Sequence, residues 1–149
     1  GLPDALGNLC ALPTKEAEDK EPLRAGVLYV AAPNYHLLVE RGRCFSFSMD
    51  EPVWFSRPAI DVLFESAADT YGRGLLGVLL SGANEDGAQG LARIRAQGGT
   101  TVVQTPESAT ARPMPDAALR LGAARHVLSP AEIGAFLAQL ARGEAKGRP

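Results

Sequence analysis

The chain has no excess of charge of either sign. Fifteen Lys and Arg stand against seventeen Asp and Glu, a formal net charge of −2. Nucleic acid and anionic membrane surfaces are recognised through a basic footprint, so neither is an expected partner. Long hydrophobic runs are missing too: none approaches the roughly 18 residues of a membrane span, and no signal peptide is visible. Membrane insertion is therefore not expected, and the cytoplasm is the expected compartment. Cysteine and histidine are scarce, with only Cys10, Cys44, His36 and His126. Their spacing is not that of a zinc site, so no metal is expected. Reduced thiols are the default, although the two cysteines could in principle bridge. No Gly-x-Gly-x-x-Gly stands between a strand and a helix, and there is no Walker-type loop and no Gly-x-Ser-x-Gly elbow. Nothing here calls for a cofactor.

What is present suits one globular domain. The chain has 149 residues, 46% of them apolar and 21% charged. Its organising stretch is Ser81-Gly82-Ala83-Asn84-Glu85-Asp86-Gly87-Ala88, between the apolar run Leu75–Leu80 and a helical pattern over 88–97. Such a run fits a strand buried on both faces of a parallel sheet. The turn after it is where open α/β sheets place their sites. Asp86 stands at the start of the following helix and has two readings: a cap for that helix, which spacing alone favours, or the carboxylate that orients a catalytic base. An anion held at this helix N-terminus would be repelled by Glu85 and Asp86.

The rest of the chain alternates. Leu2, Leu6 and Leu9 suit a brief helix end, and the charged run 15–22 reads as a surface loop. Val27–Ala32 is strand-like and stopped by Pro33. His36–Val39 and Cys44–Phe47 form a hairpin signal, with Gly42 suited to the left-handed turn position, and the hairpin is expected at a sheet edge or as a flap. A helix opens at Ser56-Arg57-Pro58 and carries Ile60, Leu63, Phe64 and Ala67 on one face, with Gly72 as its stop. Thr100–Val103 is a strand, Gln104–Pro113 a long turn, Met114–Leu121 a helix capped by Gly122, and His126–Leu128 a strand. Ser129 and Glu132 form a capping box ahead of a helix with Ile133, Phe136, Leu137 and Leu140 on one stripe. Residues 143–149 should fray. The alternation predicts an α/β fold: a doubly wound, mostly parallel, Rossmann-like sheet, made mixed by the antiparallel hairpin.

Other candidate residues have plainer readings. His36 is expected to be a satisfied or surface residue before a catalyst, and His126 has weaker grounds still. Ser108 and Thr110 lie in a turn long enough to be functional, but both are also common turn formers. Trp54 reads as a lid packed on the core before a partner anchor.

The order of motifs resembles the catalytic domain of the bacterial chemotaxis protein-glutamate methylesterases, the CheB family. The matching stretches are Lys15–Asp19, Leu23–Pro33 with His36, Arg57–Phe64, Gly77–Gly82 with Asp86-Gly87-Ala88, Gln104 with Glu107-Ser108, and Met114-Pro115 with Ala117-Ala118 and Leu121-Gly122-Ala123. The resemblance implies a hydrolase with a Ser-His-Asp triad that removes methyl groups from glutamate γ-methyl esters on chemoreceptor helices and releases methanol. It makes Asp86 the triad acid and places Gly82, Ala83, Met114 and Pro115 around the substrate pocket. The family usually has Met where this chain has Ala83, which implies a roomier pocket. The expected partners are methylated cytoplasmic receptor helices, and a receiver domain often precedes the family's domain.

The chain departs from the family in one respect. The family's nucleophile lies in a Gly-Ala-Ser-x-Gly-Gly turn after the first strand and its base follows the second strand. Neither motif occurs in residues 1–149. Residues 1–142 are therefore expected to be a methylesterase catalytic domain without its first βα units, with one triad member of three. Alone it is expected to be inactive, and to dimerise, misfold or need upstream residues. Two rival functions follow: a non-catalytic methylesterase-like module that binds signalling proteins, and a small nucleotide binder. The missing phosphate loop counts against the second.

Overall fold

The structure is a computed structural model that describes residues 11–141. The expected helix end at Leu2–Leu9, Cys10 and the tail at 143–149 lie outside the described residues. Seven strands and four α-helices follow in chain order: β1 (Thr14–Glu16), β2 (Leu28–Val30), β3 (His36–Val39), β4 (Phe45–Ser48), α1 (Ile60–Tyr71), β5 (Leu76–Leu79), α2 (Ala88–Ala96), β6 (Thr100–Gln104), α3 (Pro113–Arg120), β7 (His126–Leu128) and α4 (Pro130–Ala141). The arrangement is α/β with a mostly parallel pairing pattern.

The strands divide into three sheets. β5, β6 and β7 lie side by side in chain order, all parallel, with a helix in each connection. Leu79 and Val103 pack against Leu91 and Ile94 of α2 and Met114, Ala117 and Ala118 of α3. Val102, turned to the opposite face by the two-residue period, is also fully buried, which explains why these strands read as continuous apolar runs. The expected hairpin forms, with Leu37 opposite Phe47. It is a separate two-stranded sheet and not an edge of the parallel one. Its turn is closed by Arg43 at φ 60°, not by Gly42. The Arg43 N–H donates to the Glu40 carbonyl and the Glu40 N–H to that of Cys44, so the third residue of the loop takes the left-handed position, one later than expected.

The charged run also differs from expectation. Thr14–Glu16 is a short exposed strand, parallel to β2. The Val30 carbonyl accepts the Ala17 N–H, and the pairing overrides the run's loop-like composition. Lys15 meets Glu21 at 2.6 Å, an exposed pair of small energetic weight.

Helix α1 joins the two halves. Its Ala68 belongs to the core of the parallel sheet and its Ala67 to a second core with Leu37, Val39 and Phe45. Ser66 Oγ accepts the Val39 N–H at 2.9 Å and Thr70 Oγ1 donates to the Val39 carbonyl at 3.2 Å, which covers the outer edge of β3. The helix starts at Ile60, two residues later than Pro58 suggested.

Gly90 is where α1 and α2 cross. A Cβ there would lie 2.6 Å from Phe64 Cβ and 3.2 Å from the Asp61 backbone. Neither neighbour is a flexible side-chain end. Gly90→Ala is therefore expected to destabilise the fold by up to about 2 kcal/mol, because an overpacking cost of about 1–3 kcal/mol is offset by only roughly 1 kcal/mol of helix propensity. Denaturant unfolding checks this, and a stabilised variant would refute the close crossing.

Among the described residues no helix is long and apolar enough to cross a membrane. No group of three or more His, Cys, Asp or Glu among them could hold a metal ion.

Candidate functional site

Five polar or charged residues are buried among those described: His36, Asp61, Asp86, Thr101 and Gln104. All but Thr101 hold the turn that follows β5 or the helix end beside it. A buried polar side chain is costly unless it is hydrogen-bonded, so such a concentration needs a structural or chemical reason.

Asp86, 3% exposed, does not cap its own helix. The N-cap of α2 is Gly87, at φ 97°. A Cβ at Gly87 would also lie 2.6 Å from Leu79 Cδ1, so the position needs glycine on both counts. The Asp86 carboxylate turns instead to the N-terminus of α1. Oδ2 accepts the Ile60 N–H at 2.7 Å and Oδ1 accepts the Asp61 N–H at 2.9 Å. Asp61 returns the favour: its Oδ1 accepts the N–H groups of Gly87 at 3.0 Å and Gly90 at 2.7 Å, at the start of α2. Each helix is thus capped by a carboxylate from the neighbourhood of the other. This satisfies N–H groups that a helix cannot satisfy itself, and places negative charge at both positive helix ends.

Burial holds the Asp61 carboxyl above its ordinary range. The Asp86 charge pushes it the same way, against the downward pull of the Gly90 and Gly87 N–H groups and the Trp54 side chain. Asp86 uses one acceptor position on each oxygen. A carboxylate has about four, so it retains capacity for another donor such as an imidazole N–H.

His36 is a satisfied core residue, 1% exposed. Its Nδ1 accepts the Ala59 N–H at 3.2 Å, so Nε2 carries the proton and donates to the Glu51 carbonyl at 2.9 Å. Both ring nitrogens serve backbone groups, so it is not the imidazole that Asp86 would orient. His126 opens β7 at the opposite ends of the parallel strands, against Phe136 with ring centroids 5.8 Å apart. It lines a cavity of about 370 Å³ with Arg73, Leu76, Thr100 and Arg125, remote from the carboxyl strand ends where Asp86 sits.

The other expected site residues separate. Gly82 and Met114 come together: a Cβ on Gly82 would run into the Met114 side chain, and the Met114 N–H donates to the Gly82 carbonyl at 3.1 Å. Ala83 is exposed beside them. Pro115 is fully buried, so it backs Met114 from within the core. Gln104 and Ser81 tie the two turns. Gln104 Oε1 accepts the Ser81 N–H at 2.9 Å, and Ser81 Oγ accepts the Ala111 N–H at 2.8 Å. Ser108 is absorbed by the turn it sits in, bonding Thr105 and Gln104.

Sequence reasoning missed Asp61 and Asn84. Asn84 Oδ1 accepts the Asp86 N–H at 2.9 Å, and its Nδ2 donates to the Trp54 carbonyl at 3.2 Å. Asp61 carried a readable signal. It falls one turn before Phe64 and two before Ala68, on the buried side of α1, where an aspartate must find donors.

Comparison with known proteins bears on the family and the fold. The CheB methylesterase family model matches residues 1–137. A relative from Leptospira interrogans is 50% identical over 135 residues, covering 91% of this chain and 70% of its own length. The protein-glutamate methylesterase/protein-glutamine glutaminase 1 of Rhodospirillum rubrum is 39% identical over 89% of this chain, which spans 35% of that protein. The CheB methylesterase catalytic domain of Thermotoga maritima superposes with a TM-score of 0.78 at 30% identity, over 85% of this chain and 68% of that domain. With the resemblance, the family match and the superposition in agreement, the chain belongs to the CheB methylesterase family.

Proposed function

We propose that this chain is part of a chemotaxis protein-glutamate methylesterase, hydrolysing glutamyl methyl esters on chemoreceptors to glutamate and methanol, with Asp86 as the triad acid. The Asp86 carboxylate carries this reading. It is buried at the carboxyl end of β5, held by two backbone N–H groups and left with free acceptor positions. Such a carboxylate can take an imidazole N–H, set the tautomer of the base and stabilise the imidazolium that forms as the nucleophile is deprotonated. The Ser and His of the reaction come from outside residues 1–149. Both histidines of the chain are otherwise engaged or remote. Residues 1–142 are read as the portion of the catalytic domain that supplies the acid and part of the pocket wall. Gly82, Ala83 and Met114 line the pocket, Pro115 supports it, and the substrate is a methylated receptor helix lying over the turns at 81–88 and 104–115.

The test is methanol release from methylated receptor by the full-length protein, beside the 149-residue chain alone. The full-length protein is expected to turn over and the chain alone to release nothing. Turnover by the chain alone would overturn the assignment of nucleophile and base. An inactive full-length protein that still binds receptor would favour the binding-module reading.

A further inference from the structure

Asp86 and the groups that hold its carboxylate belong to different helices. Both donors, the N–H groups of Ile60 and Asp61, lie at the start of α1. The backbone that carries Asp86 leads directly into Gly87, the N-cap of α2. The direction in which the carboxylate points therefore depends on how the two helix ends stand against each other.

Asp61 sets that relation beside Asp86 itself. Its N–H donates to Asp86 Oδ1 at 2.9 Å, and its own Oδ1 accepts the N–H of Gly87, the residue after Asp86, at 3.0 Å. These two hydrogen bonds and the covalent bonds between them close a ring, and both side-chain torsions of Asp86 lie within it. The Gly90 N–H, at 2.7 Å, fixes Asp61 Oδ1 from the first turn of α2. A slip between the helices has no slack to take it up: a Cβ on Gly90 would lie 3.2 Å from the Asp61 Cα and from its carbonyl oxygen. Capping alone does not call for this arrangement, since Ser, Thr, Asn and Asp cap from the N-cap position of their own helix. Here those positions are Ala59 and Gly87, and neither caps with a side chain. The acceptors come from across the crossing, which ties the acid to the helix pair.

We propose that Asp61 is a positioning residue of the esterase: by closing this ring it holds the Asp86 carboxylate in the direction from which it receives the imidazole N–H of the base, acting through Asp86 and not on the substrate. The role rests on the methylesterase reading of Asp86.

The test is the kinetics of methanol release from methylated receptor by the full-length protein, native, Asp61→Ala and Asp61→Asn, with rates referred to folded protein. Asp61→Asn keeps an oxygen for the Gly87 and Gly90 N–H groups and so keeps the ring, whereas Asp61→Ala opens it. In Asp61→Ala kcat is expected to fall at least about tenfold, toward the roughly hundredfold that a misplacement of about 1 Å costs, with KM within about twofold of native. Asp61→Asn is expected to stay within about threefold of native kcat. Both variants lose the same charge, so the acid limb of the kcat/KM profile separates position from charge. A misdirected Asp86 stabilises the imidazolium less, and the limb is expected at lower pH in Asp61→Ala than in Asp61→Asn. Val39→Ala, which opens a cavity in the second core, controls for lost stability and is expected to keep native kcat. Where Asp61→Ala does not fold, Asp61→Ser, whose oxygen sits one bond closer to the backbone, takes its place with the same expectations. A native kcat in the ring-opening variant, or equal losses in it and in Asp61→Asn, would overturn the positioning role. Failure of the methylesterase reading shows separately, as no methanol release by native protein, and takes the role of Asp61 with it.

Discussion

Replacing Asp86 by Asn is expected to lower methanol release by the full-length protein about ten-thousand-fold, the scale on which a triad fails when its histidine loses the carboxylate that fixes its tautomer. The same substitution has a structural effect. Asp86 gives one oxygen to the Ile60 N–H and the other to the Asp61 N–H. Asn keeps one oxygen and turns an NH2 toward the second donor. One N–H at the start of α1 then loses its acceptor, and the fold loses about 1–3 kcal/mol. Rates measured well below the unfolding midpoint, beside a denaturant curve, separate the two effects. An activity loss no larger than the loss of folded protein would refute the catalytic role and leave Asp86 a capping residue.

Asp61 should respond in the opposite way to the same change. Both of its bonds to α2, from Gly87 and Gly90, end on Oδ1. Asp61→Asn retains that oxygen and is expected to cost less than about 1 kcal/mol, whereas Asp61→Ala strands two buried N–H groups and is expected to cost about 2–4 kcal/mol. The pH dependence supports the distinction. The Asp61 carboxyl is raised from its ordinary 3.8, by burial first. Between the unfolded and folded values the native state therefore holds more protons than the unfolded one. Stability from this group is full below the window and declines as pH rises through it. Asp61→Asn should remove that slope. Denaturant midpoints for native and variant protein over a pH series starting near 3.8 check the prediction. Parallel curves would show that Asp61 does not titrate differently on folding. Glu65, raised by burial and by the Asp61 charge, adds to the native slope and relaxes with it in the variant.

How far the sequence reveals the site depends on the range of the interaction. The capping box at Ser129 and Glu132 spans three residues, and its two bonds form at 2.9 and 3.2 Å as the spacing predicts. The hairpin and the strand–helix alternation after residue 58 are likewise legible, because apolar period and turn chemistry act locally. Asp86 is legible as a candidate residue in the 81–88 turn, but not what it bonds. Spacing favours its own helix, and the structure hands it to a helix that begins 26 residues earlier. The helix start at Ile60 in place of Pro58 follows from the same contact, since the side chains of His36 and Asp86 take the N–H groups of residues 59–61.

By itself the sequence determined the α/β class, the order of the elements and the turn that bears the candidate site residue Asp86. Each follows from residues within a few positions of one another, whose periodicity and backbone preferences need no distant partner. Only the tertiary structure decided that Asp61 and Asp86 cap each other's helices, that His36 is committed to the backbone and that Pro115 lies inside the core. In each case the deciding partner comes from a different element. A buried donor must find an acceptor wherever the packed chain brings one, and no local pattern encodes that meeting.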